Sequence, residues 1–134
     1  MSIRVSPHTN CVTGYQVAQV RAVFEIPPKA RSSVFLSEPS ETSPPTHLAY
    51  VEWFSPIPAI RDPNSLLYRV SRLTYNGRRR ASVIPVDSIL CSVHLFPRFG
   101  QSTPPDWKTF TVIEACNSFY VNPFSDRHNY MIFS

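Results

Sequence analysis

Only three of the 134 residues are glycine. That is too few to build a glycine-rich phosphate cradle, and neither a P-loop nor a G-x-G-x-x-G run occurs. The three cysteines, Cys11, Cys91 and Cys116, are odd in number and contain no C-x-x-C pair. A closed disulfide framework and a zinc ribbon are both disfavoured, and reduced thiols are the expectation. No stretch nears the roughly 18 apolar residues of a membrane helix, and residues 1–19 lack the apolar core of a secretion signal. Asn-x-Ser/Thr acceptors are missing too, so an intracellular site is expected. The G-x-S-x-G nucleophile elbow of α/β-hydrolases is absent as well.

What is abundant is proline, with 14 residues, and their spacing leaves few gaps that could hold a long helix. Hydrophobic residues make up 43% and charged residues 16%, more apolar and less charged than a disordered tail. A chain of this size buries enough surface for one core. The expected organisation is a flexible N-terminal arm over residues 1–15, then a single β-rich domain over residues 16–134.

Along that domain, Val20, Ala22, Phe24 and Ile26 alternate with Gln19, Arg21, Val23 and Glu25, a strand with one apolar face that Pro27-Pro28 ends. A brief extended piece at residues 33–36 precedes an exposed loop over residues 37–46, rich in Glu, Ser and Pro. His47-Leu-Ala-Tyr-Val-Glu-Trp-Phe54 is apolar on both faces and is expected to be a central strand. Asn76-Gly77 carries the strongest turn signal, a two-residue type I′ hairpin. Counted outward, it pairs Tyr75 with Arg78, Leu73 with Arg80, Ser71 with Ser82 and Arg69 with Ile84 on one face. Thr74/Arg79, Arg72/Ala81 and an inward Val70/Val83 pair share the other. Residues 86–90 read as a single turn, and residues 89–96 alternate as a further strand. Thr111-Val-Ile-Glu114 reads as a capping box opening a short helix, and residues 119–121 and 130–133 read as terminal strands. The fold class expected is mainly β: a small curled antiparallel sheet or partly open β-barrel of about five or six strands, with one short C-terminal helix.

Four histidines accompany the cysteines, yet no spacing matches a zinc site, and Cys91 and His94 fall on opposite sides of a strand. No metal, cofactor or catalytic set is expected. The net charge of +4 and a pI near 9.2 agree with a polyanionic partner. Arg78, Arg79 and Arg80 follow the hairpin tip, and the register above sets Arg69 and Tyr75 beside Arg78 and Arg80, a combination suited to phosphate and base contacts. The plain alternative is a solubilising edge. Tyr50, Glu52, Trp53 and Phe54, with Trp107, Phe110, Phe119 and Tyr120, could line an aromatic pocket for a methylated lysine. Aromatics this numerous more often form core, and Glu52 could equally pair with an arginine across the sheet.

Several blocks taken together carry a family likeness: His47 to Phe54, Tyr68-Arg-Val-Ser-Arg72, Ser82-Val-Ile-Pro-Val86, Ser92-Val-His-Leu-Phe-Pro97, and Phe119-Tyr-Val-Asn-Pro-Phe124 followed by Arg127-His128. They resemble a C-terminal segment of basidiomycete transposon-encoded proteins of the Kyakuja, Dileera and Zisupton (KDZ) or Plavaka kind, over about residues 47–134. The resemblance implies a fungal, nuclear, mobile-element context and assigns no catalytic residue, since transposase chemistry would belong to another region. Small β-barrels also serve as Tudor-type chromatin readers, a likeness of architecture alone. The expected function is therefore a non-enzymatic accessory domain that binds nucleic acid through the basic hairpin. A chromatin-protein-binding or homodimerising module is the alternative.

Overall fold

At Asn76-Gly77 both residues take positive φ, +50° and +74°, as a type I′ reversal requires. The turn joins Tyr75 to Arg78 and Thr74 to Arg79 in the register that the sequence sets. The computed structural model describes residues 2–5, 15–27, 46–98, 105, 106, 108 and 111–122. The extended piece at 33–36, nearly all of loop 37–46, the strand at 130–133, Trp107 and Phe110 lie outside the described residues.

The strands are β1 (Ser2–Val5), β2 (Tyr15–Glu25), β3 (His47–Trp53), β4 (Tyr68–Ser71), β5 (Thr74–Tyr75), β6 (Arg78–Arg79), β7 (Ala81–Pro85), β8 (Cys91–Ser92), β9 (His94–Pro97) and β10 (Ser118–Asn122). A 3₁₀ turn spans Val86–Ser88, and the helix α1 is Val112–Ala115. All ladders are antiparallel. One sheet runs β7-β3-β2-β1-β8, a second β4-β10-β9, and β5-β6 is the hairpin. The fold is mainly β, and among the described residues there is one short α-helix and the sheets do not close into a barrel.

Two corners join the sheets. β8 and β9 are one chain direction interrupted at Val93, whose side chain turns into the core, so the path leaves the first sheet and enters the second. At the other corner Phe54 bridges Arg72, and Ser55 N donates to Ser71 O at 2.7 Å. Between the sheets lies a core of Val17, Phe54, Val70, Val93, Phe119 and Val121 with their neighbours. Phe54 and Phe119 meet edge to face, ring centroids 5.5 Å apart, an arrangement aromatic quadrupoles favour. A smaller cluster of Ala18, Ala49, Val51 and Ile84 occupies the opposite face of the first sheet, with Val86 and Ile89 folded over it.

Several expectations meet the structure directly. β3 is central, between β2 and β7. Residues 89–96 alternate as read, with Cys91, Val93 and Leu95 turned inward and Leu90, Ser92, His94 and Phe96 exposed. Others are corrected. The long hairpin register stops after the Leu73/Arg80 backbone bond, because β4 leaves to pair with β10 and β7 pairs with β3. Arg69 therefore faces Tyr120 rather than Ile84 across the ladder, and Val70 is buried while Val83 is exposed. On β2 the period-two reading fails at Arg21, a bulge between Val20↔Val51 and Ala22↔Tyr50. The extra residue swaps faces, so Ala22 and Phe24 lie on the side opposite Val20 and are exposed. Ser2–Val5, expected within a flexible arm, forms a strand between β2 and β8.

Candidate nucleic-acid interface

Strand alternation divides the hairpin's arginines into two kinds. Arg78 and Arg80 are exposed, as is Tyr75, whose surface is 74% accessible at the tip. Among the described residues, no carboxylate lies within ion-pair distance of Arg78 or Arg80. Arg79 points the other way, with Thr74, into a charged cluster.

In that cluster Arg79 Nη1 donates to Glu52 Oε2 at 3.1 Å and to Glu114 Oε2 at 2.6 Å, and Nη2 donates to the Glu114 backbone carbonyl. Arg21 bonds Glu114 through Nη1 and approaches Glu52 with Nε at 3.8 Å. Arg72, its side chain only 3% exposed, sits 3.7 Å from Glu52, donates to Ile113 O, and lays its guanidinium 4.6 Å from the Phe54 ring centroid. Three guanidiniums against two carboxylates leave one positive charge in excess. Burial, then the nearby Arg79 charge, pulls the Arg72 pKa down, and bonding to Glu114 raises that of Arg79. The cluster ties β2, β3, the hairpin and α1 together. Glu114 was expected in a capping box, and its carboxylate instead serves Arg79, Arg21 and Gln19. The Thr111 hydroxyl turns back to the Lys108 backbone and leaves the helix end uncapped by side chains.

Hydrogen bonds from Arg79 chiefly, against some burial, hold the Glu114 carboxyl at about 2, below its ordinary 4.5. A carboxyl depressed in the fold contributes stability above its unfolded value and loses it as pH falls through the folded one. Thermal unfolding should therefore show the parent chain more stable than Glu114→Gln at neutral pH, the gap closing between pH 4.5 and about 2. Because the Glu114 side chain is 41% exposed, water screens the effect and the gap is modest. A gap that is constant down to pH 2 would remove Glu114 from the cluster's energetics.

Three recesses follow one another across the surface. The first, about 450 Å³, is formed by Tyr75, Asn76 and the three arginines. Arg80 borders it and also the second, about 310 Å³, where it stands with Trp53, Leu73, Pro56, Gln16 and Ser82. Pro56 in turn borders the third, about 390 Å³, whose charged lining is Arg61, Asp62 and Arg69. Arg69 is thus not on the hairpin face, as the extended register had it, but two recesses along. It too has no ion-pair carboxylate among the described residues. Asp62 is occupied in a turn: its Oδ1 accepts from Asn64 N and Ser65 N, and the Ser65 backbone bond leads in lowering its pKa. Arg61 lies over the Tyr68 ring at 5.3 Å.

The aromatic pocket does not assemble from Tyr50, Glu52, Trp53 and Phe54. Tyr50 is exposed, Glu52 belongs to the ion cluster, Phe54 is fully buried, and Trp53 lies on the opposite face of β3 from Tyr50. Phe119 is core, and Tyr120 reaches toward Asp62. Trp53 does reach a recess, beside the Leu73/Arg80 pair that the hairpin register sets, and two backbone bonds, Leu73 N to Trp53 O and Trp53 N to Arg80 O, bring the indole alongside. A separate apolar face shows on the first sheet, where Ala22–Tyr50–Val83 and Phe24–Leu48–Pro85 form two cross-strand rows. Among the described residues, no group of His, Cys, Asp or Glu is arranged to hold a metal ion, and no helix is long and apolar enough to cross a membrane. No family model, curated protein or solved structure matches this chain.

Proposed function

We propose that this chain is a non-catalytic nucleic-acid-binding module, working in the nucleus in the mobile-element context that its resemblance to fungal transposon proteins implies. The observation that carries the reading is the separation of the arginines. Arg79 is consumed by Glu52 and Glu114, whereas Arg78, Arg80 and Arg69 stand exposed, with no ion-pair carboxylate among the described residues, along a line of recesses with Tyr75 and Trp53. A merely solubilising surface would have no need to hold unpaired cations beside aromatic rings. Free guanidiniums spaced along a groove suit successive phosphates.

Binding to a labelled oligonucleotide should weaken as salt rises. Three phosphate contacts predict a slope of log K against log salt of about −2 for a single strand. An Arg78→Ala/Arg80→Ala variant should flatten that slope to about one third, with unfolding unchanged because neither side chain holds the fold. An unchanged slope in a folded variant would defeat the proposal. Arg79 is left in place, since its loss would disturb the fold itself.

The exposed row Ala22–Tyr50–Val83, with Phe24 beside it, favours a second reading, self-association through the first sheet. Light scattering over a concentration series tests it: a dimer abolished by Tyr50→Arg supports that reading, and a monomer throughout removes it.

A further inference from the structure

We infer that the recess between Trp53, Leu73, Pro56 and Arg80 is a stacking site for one unpaired nucleobase, so that the preferred partner is single-stranded nucleic acid. The inference rests on the nucleic-acid reading and narrows it to a substrate class. Three backbone bonds fix the walls: Leu73 N donates to Trp53 O at 3.1 Å, Arg80 N to Leu73 O at 2.7 Å, and Trp53 N to Arg80 O at 2.9 Å. The indole is locked as well. Its Nε1 donates to Ser82 Oγ at 2.9 Å, and it packs against the cluster around Ala18 and Val51 while also lining the recess. A ring held in this way loses little freedom when a base stacks on it.

The recess also has the polar edges that a base requires. Ser82 accepts from the indole, which leaves its own proton to donate. Gln16 spends Nε2 on Phe54 O at 2.9 Å, which leaves its Oε1 as an acceptor. Arg80, at the border with the hairpin recess, can meet the phosphate attached to that base. At about 310 Å³ the space lies at the small end of ligand sites, which run from about 300 to 1,000 Å³. It has room for one ring system. A base stacked within a duplex would have to be flipped out to enter, at a cost that a single strand does not bear. Tyr75 at the tip, flat and exposed beside Arg78, offers a second stacking surface one recess away.

The chain has two tryptophans, so Trp107→Phe makes Trp53 the sole source of tryptophan emission, excited selectively over the tyrosines. That protein is titrated at low salt with oligothymidylate, oligouridylate and a duplex, each of about 12 nucleotides per strand, within the site sizes of single-strand binders. Anisotropy of the labelled oligonucleotides reports binding independently. The expected result is saturable quenching of Trp53 by a single strand, with affinity at least about ten-fold above the duplex. Quenching by oligothymidylate alone identifies DNA, by oligouridylate alone RNA, and either supports the proposal. A duplex bound as tightly, or a single strand bound without any change in Trp53 emission, overturns the stacking site and leaves the phosphate reading standing. Anisotropy flat for every oligonucleotide overturns both. In a Trp53→Leu variant with an unchanged circular dichroism spectrum, single-strand affinity should fall about ten-fold and duplex affinity should hold; equal losses on both overturn the stacking site.

Discussion

Glu52→Leu is expected to lower the unfolding free energy by about 3–5 kcal/mol, the usual consequence of stranding a buried charge. Among the described residues, Glu52 is the only carboxylate within ion-pair distance of Arg72, and the Arg72 side chain is 3% exposed. Without Glu52 the guanidinium keeps one bond to Ile113 O and its contact with the Phe54 ring, and must otherwise carry its charge out of water. Among the described residues, its Nε and Nη1 already have no hydrogen-bond partner. The double variant Glu52→Leu/Arg72→Met should recover most of the loss, because the stranded charge goes with its partner. Urea unfolding of the parent, both single variants and the double variant measures all four corners. Should Glu52→Leu unfold at the parent's midpoint, Arg72 is not desolvated in solution.

Phe54→Ala should cost a similar amount, about 3–5 kcal/mol, for a different reason. Phe54 is fully buried where the two sheets meet, edge to face with Phe119 and roofed by Arg72. Truncation leaves a void whose walls are strands on both sides, and paired strands cannot collapse into it. It also removes the ring against which the Arg72 charge rests. Phe54→Leu, which keeps most of the volume, should retain the larger part of the stability, whereas Phe96→Ala should cost little because Phe96 is exposed. Thermal or urea midpoints rank the three, and a Phe54→Ala midpoint equal to that of Phe96→Ala would place the core elsewhere.

The parts of this fold that could be read from the chain are those decided within a few residues. Asn76-Gly77 dictates its own turn and the two pairs beside it, and residues 89–96 show their burial by parity alone. What could not be read is partner choice. Beyond Leu73/Arg80, β4 and β7 each find a better-matched neighbour, and no local pattern says that Tyr120 rather than Ile84 will face Arg69. The bulge at Arg21 is equally silent: it serves the charged cluster, whose members come from β2, β3, the hairpin and α1. Of the candidate site, the exposed side of the hairpin followed from parity. Arg79 stood one position out of phase with Arg78 and Arg80, which hinted at a separate role. Its bonds to residues 27 and 35 positions away supply the reason. The Trp53 recess could not have been anticipated, because it exists only once the hairpin is folded against the end of β3.

The distance along the chain between paired strands sets how this protein must be made. β1 lies against β8, with most of the chain between them, and β4 waits for β10. Among the ladders of the described residues, only β5-β6 at the Asn76-Gly77 reversal pairs immediate neighbours. Chains dominated by such remote pairings fold in roughly milliseconds to seconds. On the ribosome, a nascent chain lacking β10 leaves the inner face of β4 and the Phe54 ring exposed to solvent, so the core cannot shut until β10 has emerged.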